Sequence, residues 1–506
     1  MNNEPNGWAK VKLNEIADTL DFEREPINAS ERSQRIQGLR ESDLYPYYGA
    51  TGQVGWIDGY RSEGQRILIG EDGAPFLDSS KDKAFLVDGR FWVNNHAHVL
   101  VGAAGLVNHR FLCHQLNTVD YQPFVSGSTR LKLTNAAMKQ IPLLLAPSKE
   151  QTRIVAKLEE LLSDLDAGVA ELKAAQKKLA QYRQSLLKAA VEGALTAEWR
   201  KQNQPEETGG QLLQRILKER RARWEAKQLA KFKEQGKTPP KDWQAKYPEP
   251  VQPDVSNLPE LPEGWVWASI EQIAYDENYS LAIGPFGSNL KVSDYRESGV
   301  PLVFVRHVRS GKYGGVYTKF VSPEKAEELN AHSISAGDVL ITKMGEPPGD
   351  ADVYPQDQPP AIITADLIKV RCWPGLMEAG FLATSINSHI GRNQIGPMTQ
   401  GVAQKKVSLG RFSSLTVPLP PLSEQIVIIE RLTFDIQQAL SQEEVITFSL
   451  KQSTAQRKNL LKAAFSGQLV PQDPDDEPAS VLLERIRAER SKQTKTHKGR
   501  SVKVSA

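Results

Sequence analysis

The chain has 506 residues, room for about three or four domains, with 40% apolar and 25% charged residues and a net charge of +2. That is the composition of a soluble globular protein, and the two cysteines, Cys113 and Cys372, exclude a disulfide framework or a cysteine-rich zinc site. No apolar run approaches the ~18 residues that a membrane span needs, and the Met-Asn-Asn-Glu-Pro start lacks the basic and apolar regions of a signal peptide, so a cytoplasmic protein with no membrane partner is expected.

In chain order, residues 1–145 carry 15 Lys/Arg against 17 Asp/Glu. They contain short apolar runs broken by Gly and Pro, such as Arg66-Ile-Leu-Ile-Gly70 and Ala84-Phe-Leu-Val87, which read as strands of a mixed α+β domain. A proline-marked stretch from Ile141-Pro142 to Pro147 leads into a helix, with Ser148 as N-cap and Glu150 in the first turn, where the helix dipole favours acid. Leu158, Leu165, Leu172, Leu179 and Leu186 then recur every seven residues. Ile154, Leu161, Gly168, Ala175 and Tyr182 stand four before each, which is a coiled-coil seam. Gly193 is the expected stop. Residues 146–250 carry 21 Lys/Arg against 15 Asp/Glu. Thr238-Pro239-Pro240 opens a proline-spaced run to Pro262 that reads as an extended linker.

The plan then repeats. Pro5-Asn6-Gly7-Trp8 returns as Pro262-Glu263-Gly264-Trp265, Glu150-Gln151 as Glu424-Gln425, and Leu186-Leu187-Lys188-Ala189-Ala190 as Leu460-Leu461-Lys462-Ala463-Ala464. Strands are expected at Pro301–Val305 and Gly337–Ile341. Pro418 to Pro421 leads to a second helix, with Ser423 as N-cap, Gly467 as stop, and Leu432, Ala439, Ile446, Ser453 and Leu460 at heptad spacing. Glu443 and Arg457 interrupt its other stripe. Both copies hold 36 residues between the Glu-Gln and Leu-Leu-Lys-Ala-Ala landmarks, as two helices need if they pair along their length. Leu212-Leu213-Gln-Arg-Ile216 recurs as Leu482-Leu483-Glu-Arg-Ile486, and the basic end, Ser491–Ala506, reads as disordered. Residues 20–140 and 280–410 show almost no likeness, so a kept frame carries two surfaces that are free to differ.

Catalytic signatures are missing. Glu346-Pro347-Pro348-Gly349 lacks the Asn or Asp and the aromatic of the amino-methyltransferase tetrapeptide. Gly236-Lys237-Thr238 lacks the upstream glycine of a phosphate loop, with Lys231 in its place. His96, His98, His109 and His114 do not make a metal-ligand pattern, and we expect no metal.

Two unlike blocks, each followed by a Pro-rich approach, Glu-Gln and a long helix, resemble the specificity subunits of type I restriction-modification systems. The resemblance covers most of the chain. Its pieces are Tyr47-Tyr48-Gly49-Ala50-Thr51-Gly52, Gly70-Glu71-Asp72-Gly73, Gly284-Pro285-Phe286-Gly287-Ser288, Gly337-Asp338-Val339-Leu340-Ile341, Met344-Gly345, Pro418 to Gln425, and Phe465-Ser466-Gly467-Gln468-Leu469. The first copy departs at Leu143-Leu144-Leu145-Ala146, where the family carries more proline. The resemblance implies an α+β fold: two globular mixed α/β target-recognition domains joined by two long antiparallel coiled-coil helices, with a pseudo-two-fold internal repeat. On that plan residues 1–147 and 262–420 are the target-recognition domains, and 148–200 and 421–470 the spacer helices. Residues 201–261 are a helix plus Pro-rich linker, and 471–506 a C-terminal helix and basic tail.

It further implies no enzyme activity in this chain and no cofactor bound by it. Each domain would read half of a bipartite asymmetric site in double-stranded DNA. The subunit would dock two modification subunits, which use S-adenosylmethionine to methylate adenine N6, and restriction subunits that use ATP and Mg. Direct readout takes Arg or Lys for guanine, Asn or Gln for adenine, and small or aromatic contacts for thymine. The DNA-binding candidates are Tyr47, Tyr48, Thr51, Asn94, Asn95, Ser128 and Arg130 in the first block. In the second they are Ser288, Asn289, Lys343, Gln400, Gln404, Lys405 and Lys406. The helix-seam candidates are Leu158, Leu165, Leu172, Leu179, Leu186, Leu432, Ile446 and Leu460. The alternative is a two-headed coiled-coil scaffold, or a DNA-binding protein acting outside restriction.

Overall fold

A computed structural model describes residues 5–78, 80–401 and 405–501, and its contacts divide the chain into two compact units, Met1–Ala174 with Ile446–Ala506, and Ala175–Val445. Each contains one variable block, and the blocks share one α+β topology despite their unlike sequences. In the first, an antiparallel sheet runs in the order Ala17–Thr19, Ala97–Gly102, Arg66–Gly70, Ala84–Val87. A second sheet runs Gly52–Ile57, Tyr45–Gly49, Arg90–Val93, Ser62–Glu63, with Tyr45–Gly49 and Arg90–Val93 parallel. In the other block the first sheet becomes Leu281–Ile283, Leu367–Val370, Val339–Thr342, Ala351–Val353. The second becomes Phe320–Val321, Val300–Val303, Ala361–Ile363, Ser333–Ile334, with the parallel pair at Val300–Val303 and Ala361–Ile363. Every neighbour and the single parallel pairing correspond. Central strands such as Val339–Thr342 are buried throughout, so they read as apolar runs rather than alternating ones.

Each block is closed where the repeated sequence begins and ends. Ala9–Lys12 pairs antiparallel with Pro142–Leu145, and Val266–Ser269 with Thr416–Leu419. The closing strands lead directly into the two long helices, Ser148–Val191 and Leu422–Phe465, 44 residues each. Pro147 and Pro421 occupy the capping positions, their carbonyls accepting from Gln151 and from Glu424 and Gln425, so Ser148 and Ser423 lie inside the first turn rather than at the cap. Gly193 and Gly467 follow the helix ends with φ of +74° and +70°.

In the first unit, Ile154, Leu158 and Leu162 pack with Leu460, Leu461 and Ala464, and Asp166 pairs with Arg457. In the second, Leu186 shares a core with Leu432, and Arg183 donates to Glu443 at 2.8 Å. Rising residue numbers on one helix meet falling numbers on the other, so the segments pair antiparallel. Glu443 and Arg457, the interruptions of the apolar stripe, are thus satisfied by ion pairs across the seam. Leu158, Leu186, Leu432 and Ile446 are buried, and Leu165, Leu172, Leu179 and Leu460 half-buried. Tyr182 is 46% exposed instead of on the seam. A straight helix drifts against a seven-residue count, and the half-buried Arg183 turns to the partner in its place.

A clasp helix completes each core. Leu212, Leu213 and Ile216 of Gly209–Glu234 are buried against the second block, and Ala479, Leu482, Leu483 and Ile486 of Ala479–Ser501 against the first. Arg220 donates to the carbonyls of Glu271 and Ala274, and Arg490 to those of Asn14 and Ala17, so each clasp is tied to the short helix that opens its block. The proline-spaced linker is not extended. Trp243 stacks on Trp224 at 5.8 Å, Tyr247 packs on Trp224 at 5.3 Å, and Val251 N–H donates to Glu271, because the aromatics have the clasp helix to cover.

Candidate nucleic-acid interface

In each block, loops from both sheets meet a small hairpin at one place. In the first block the hairpin joins Val125–Ser126 to Lys132–Leu133. Leu133 N–H donates to Glu71 O at 2.7 Å, Glu71 N–H to His96 O at 2.7 Å, and Asn94 N–H to Tyr48 O at 3.0 Å. The hairpin, the end of Arg66–Gly70, the turn after Arg90–Val93 and the end of Tyr45–Gly49 are thereby fixed together. Close approach demands Gly70, since a Cβ there would stand 2.3 Å from Ala74 Cβ and 3.0 Å from Ala50 O.

The surface so assembled carries charges of both signs. His96 Nδ1 lies 2.6 Å from Asp72 Oδ1, and Arg130 Nη2 donates to the same oxygen at 2.9 Å. Beside them Glu71 holds Arg24 at 2.5 Å and Lys132 at 3.0 Å. Burial raises the Glu71 pKa, but these two cations outweigh it and hold the carboxyl below its ordinary range. His98 faces inward, 1% exposed, with Nδ1 2.7 Å from Asp21 and Nε2 2.9 Å from Leu133 O. Among the described residues no group of three His, Cys, Asp or Glu is placed to hold a metal.

The first-block candidates therefore separate. Thr51, Asn95, Ser128 and Arg130 are exposed. Asn94 is half-buried and accepts from His96 N–H at 2.8 Å, so it shapes the turn. Tyr48 is half-buried with its ring on Phe85 and Phe91, and burial raises its pKa. Tyr47 is a core residue, not a surface contact. It is 1% exposed, and its hydroxyl bonds the backbone N–H and carbonyl of Ile27, because an inward position on a central strand demands a large side chain with a satisfied polar tip.

The second block repeats the geometry with different chemistry. Its hairpin joins Thr399–Gln400 to Lys406–Val407 in the same register. Val407 N–H donates to Lys343 O at 3.1 Å and Lys343 N–H to Asp366 O at 2.8 Å, so Lys343 holds the place of Glu71. Lys343 Nζ stands 5.9 Å from the centre of the exposed Phe286 ring. A Cβ on Gly284 would stand 2.0 Å from Thr364 O, so only glycine lets this strand end approach. Gln400, Lys405 and Lys406 are exposed, and Ser288 and Asn289 lie on the exposed loop beyond Phe286. Gln404 lies outside the described residues. Where the first block presents acid braced by cations, the second presents Lys343, Lys405 and Lys406.

Sequence reasoning did not pick out Asp72, His96, Lys132 or Phe286 as parts of this surface. The available signal was the hairpin itself: Val125 and Leu133 at apolar positions flanking Gly127, whose φ is +103°.

Comparison with known proteins adds a family match, two relatives and two solved structures. A family model, the type I restriction modification DNA specificity domain, matches residues 5–175 and 321–445. The chain is 39% identical over 149 residues to a putative type I restriction enzyme specificity subunit of Haemophilus influenzae, spanning 36% of that protein. It is 23% identical over 504 residues to the EcoDI specificity subunit of Escherichia coli, covering 96% of each chain. Among solved structures it resembles a chain from a type I restriction-modification system studied for its assembly and conformational transition (TM-score 0.59, 16% identity, 92% of this chain and 99% of that one). It also resembles the HsdS subunit of Thermoanaerobacter tengcongensis (TM-score 0.50, 17% identity, 92% and 98%). At these identities the structures speak for the fold.

Proposed function

The chain belongs to the family of type I restriction-modification DNA specificity subunits, and from that premise we propose that its two blocks read the two halves of a bipartite, asymmetric site in double-stranded DNA. The observation that carries this reading is the pair of hairpin surfaces. One backbone geometry recurs, yet Glu71 in one block stands where Lys343 stands in the other. Equal frames with opposite charges at equivalent positions suit two readers of different sequences.

The subunit is itself non-catalytic. It docks two modification subunits that methylate adenine N6 with S-adenosylmethionine, and it recruits restriction subunits that use ATP and Mg. It binds neither cofactor and works in the cytoplasm; no helix of the described residues is long and apolar enough to cross a membrane. Methylome sequencing of a strain given this chain with its modification subunit should show one bipartite adenine-methylated motif that vanishes when the chain is omitted. A motif that persists without the chain would overturn the reading. So would no motif from a complex that co-purifies intact and binds S-adenosylmethionine.

A further inference from the structure

Asp72, His96 and Arg130 form one contact cluster on the surface of the first block. Arg130 sits at the end of the hairpin loop, its side chain 60% exposed. The guanidinium lies over Gly73, where a Cβ would stand 3.3 Å from Nε, so the absence of a side chain there makes its seat. Asp72, only 21% exposed, accepts from Nη2 at 2.9 Å and has His96 Nδ1 at 2.6 Å on the same oxygen. A guanidinium has five N–H donors in a fixed fork. The contacts with Asp72 and His96 occupy one nitrogen, Nη2. One nitrogen of the fork is thus tethered, and the side chain as a whole stays 60% exposed.

The carboxylate also decides what the fork can meet. Asp72 already balances the charge of Arg130, so a phosphate gains less there than at a bare cation and meets the Asp72 carboxylate, while the adjacent Glu71 is balanced by Arg24 and Lys132. A base edge is neutral and meets no such penalty. The edge that offers two acceptors to an arginine fork is that of guanine, O6 and N7 in the major groove. Lys405 and Lys406, both exposed, suit phosphate instead.

We propose that Arg130, positioned by Asp72 and His96, reads a guanine in the half-site recognised by the first block. The inference rests on the DNA-recognition reading above, and its test separates the two. The complex of the full chain with its modification subunits is titrated with duplexes carrying the methylome-defined site, in which each guanine of either half is replaced singly by 7-deazaguanine. If the unaltered complex shows no preference for the site, the recognition reading itself fails. If it does, one guanine in one half should lose affinity on the order of 10-fold or more when N7 is removed. Arg130→Ala should lose as much on the normal duplex and become indifferent to that replacement alone. Asp72→Asn should give a smaller loss at the same base, with every other position unchanged, as expected of a positioning residue. Arg130→Lys should not restore full discrimination, because a point charge cannot replace a fork.

Three results would overturn the proposal: an Arg130→Ala complex as sensitive to 7-deazaguanine as the original, a half-site with no sensitive guanine, or a salt slope lowered by about one with base preference intact, which marks a phosphate contact. The binding readout stands even if the variant no longer methylates.

Discussion

Gln151 grips Asn108 across the joint between the first long helix and the first block. Its Oε1 accepts the Asn108 backbone N–H at 3.0 Å, while its Nε2 donates to Ala146 O at 2.8 Å. Asn108 is the N-cap of helix His109–Leu116, so one buried amide ties the strand exit, the long helix and a helix of the block. Gln425 does the same 274 residues later, accepting from Glu378, the N-cap of Ala379–Asn387, at 2.8 Å and donating to Pro420 O at 2.9 Å. This is a physical reason for Glu-Gln at the head of both helices.

Gln151→Leu keeps the volume but strands a buried N–H and carbonyl. Its cost should be about 1–3 kcal/mol. Thermal unfolding of the variant should show a lower Tm, and Gln425→Leu should show a similar drop. A Tm unchanged in both would remove the staple role.

The neighbouring glutamates should behave differently. Glu424 accepts from Trp265 Nε1 at 2.8 Å, Thr196 at 2.6 Å and Arg200 at 2.8 Å. Glu150 accepts from Trp8 Nε1 at 3.0 Å and has no arginine in the place of Arg200, where the repeat puts Pro474. Burial raises the Glu150 pKa, with Trp8 and Arg153 only partly opposing it. A raised folded-state pKa means that stability from this group is fully present below the ordinary carboxylate range. It is lost as pH rises through the raised value. Glu150→Gln should therefore stabilise at pH 7 relative to the original and lose that advantage near pH 4, in urea titrations at both pH values. Glu424→Gln removes the charge opposite a largely buried arginine and should cost roughly 3 kcal/mol. Equal behaviour of the two variants at pH 7 would refute the asymmetry.

Lys405→Ala with Lys406→Ala should weaken DNA binding without touching the preference at the other half-site. If both lysines meet phosphates, the slope of log K against log salt should fall in magnitude by about 1.8, at ~0.9 per contact on duplex DNA. Fluorescence anisotropy across a salt series measures this. Loss of selectivity at both halves would count against independent readers.

The purified chain, incubated alone with labelled S-adenosylmethionine and duplex DNA, should transfer no methyl group above background. Adding the modification subunit should start the transfer. Activity of the chain alone would end the non-catalytic reading.

The frame was legible in sequence because long helices leave long signals. The leucines from Leu158 to Leu186 and the repeated Glu-Gln needed no structure to find. The common topology of the blocks was not legible. Their strands are two to six residues long, and equivalent pairs such as Leu68 with Phe85 and Leu340 with Asp352 satisfy one geometry with unlike side chains. Of the candidate surface, exposed polar residues such as Arg130 and Lys406 were reachable by residue type. Tyr47 was not separable from Tyr48, because adjacent strand residues face opposite ways and sequence alone does not say which face is covered. Asp72 escaped because its role depends on His96 and Arg130, 24 and 58 residues away.

The clasp helices have a consequence for the order in which the molecule is made. Gly209–Glu234 leaves the ribosome before the block it covers, so the second core can close as soon as its own strands emerge. The first block waits. Ala479, Leu482, Leu483 and Ile486 are part of its core, and Ala479 N–H donates to Gly7 O at 2.8 Å, yet they are synthesised some 330 residues after Leu145. At roughly 5–20 residues per second, the nascent first block spends tens of seconds with an apolar face uncovered. The half that is read last is the half that can finish first.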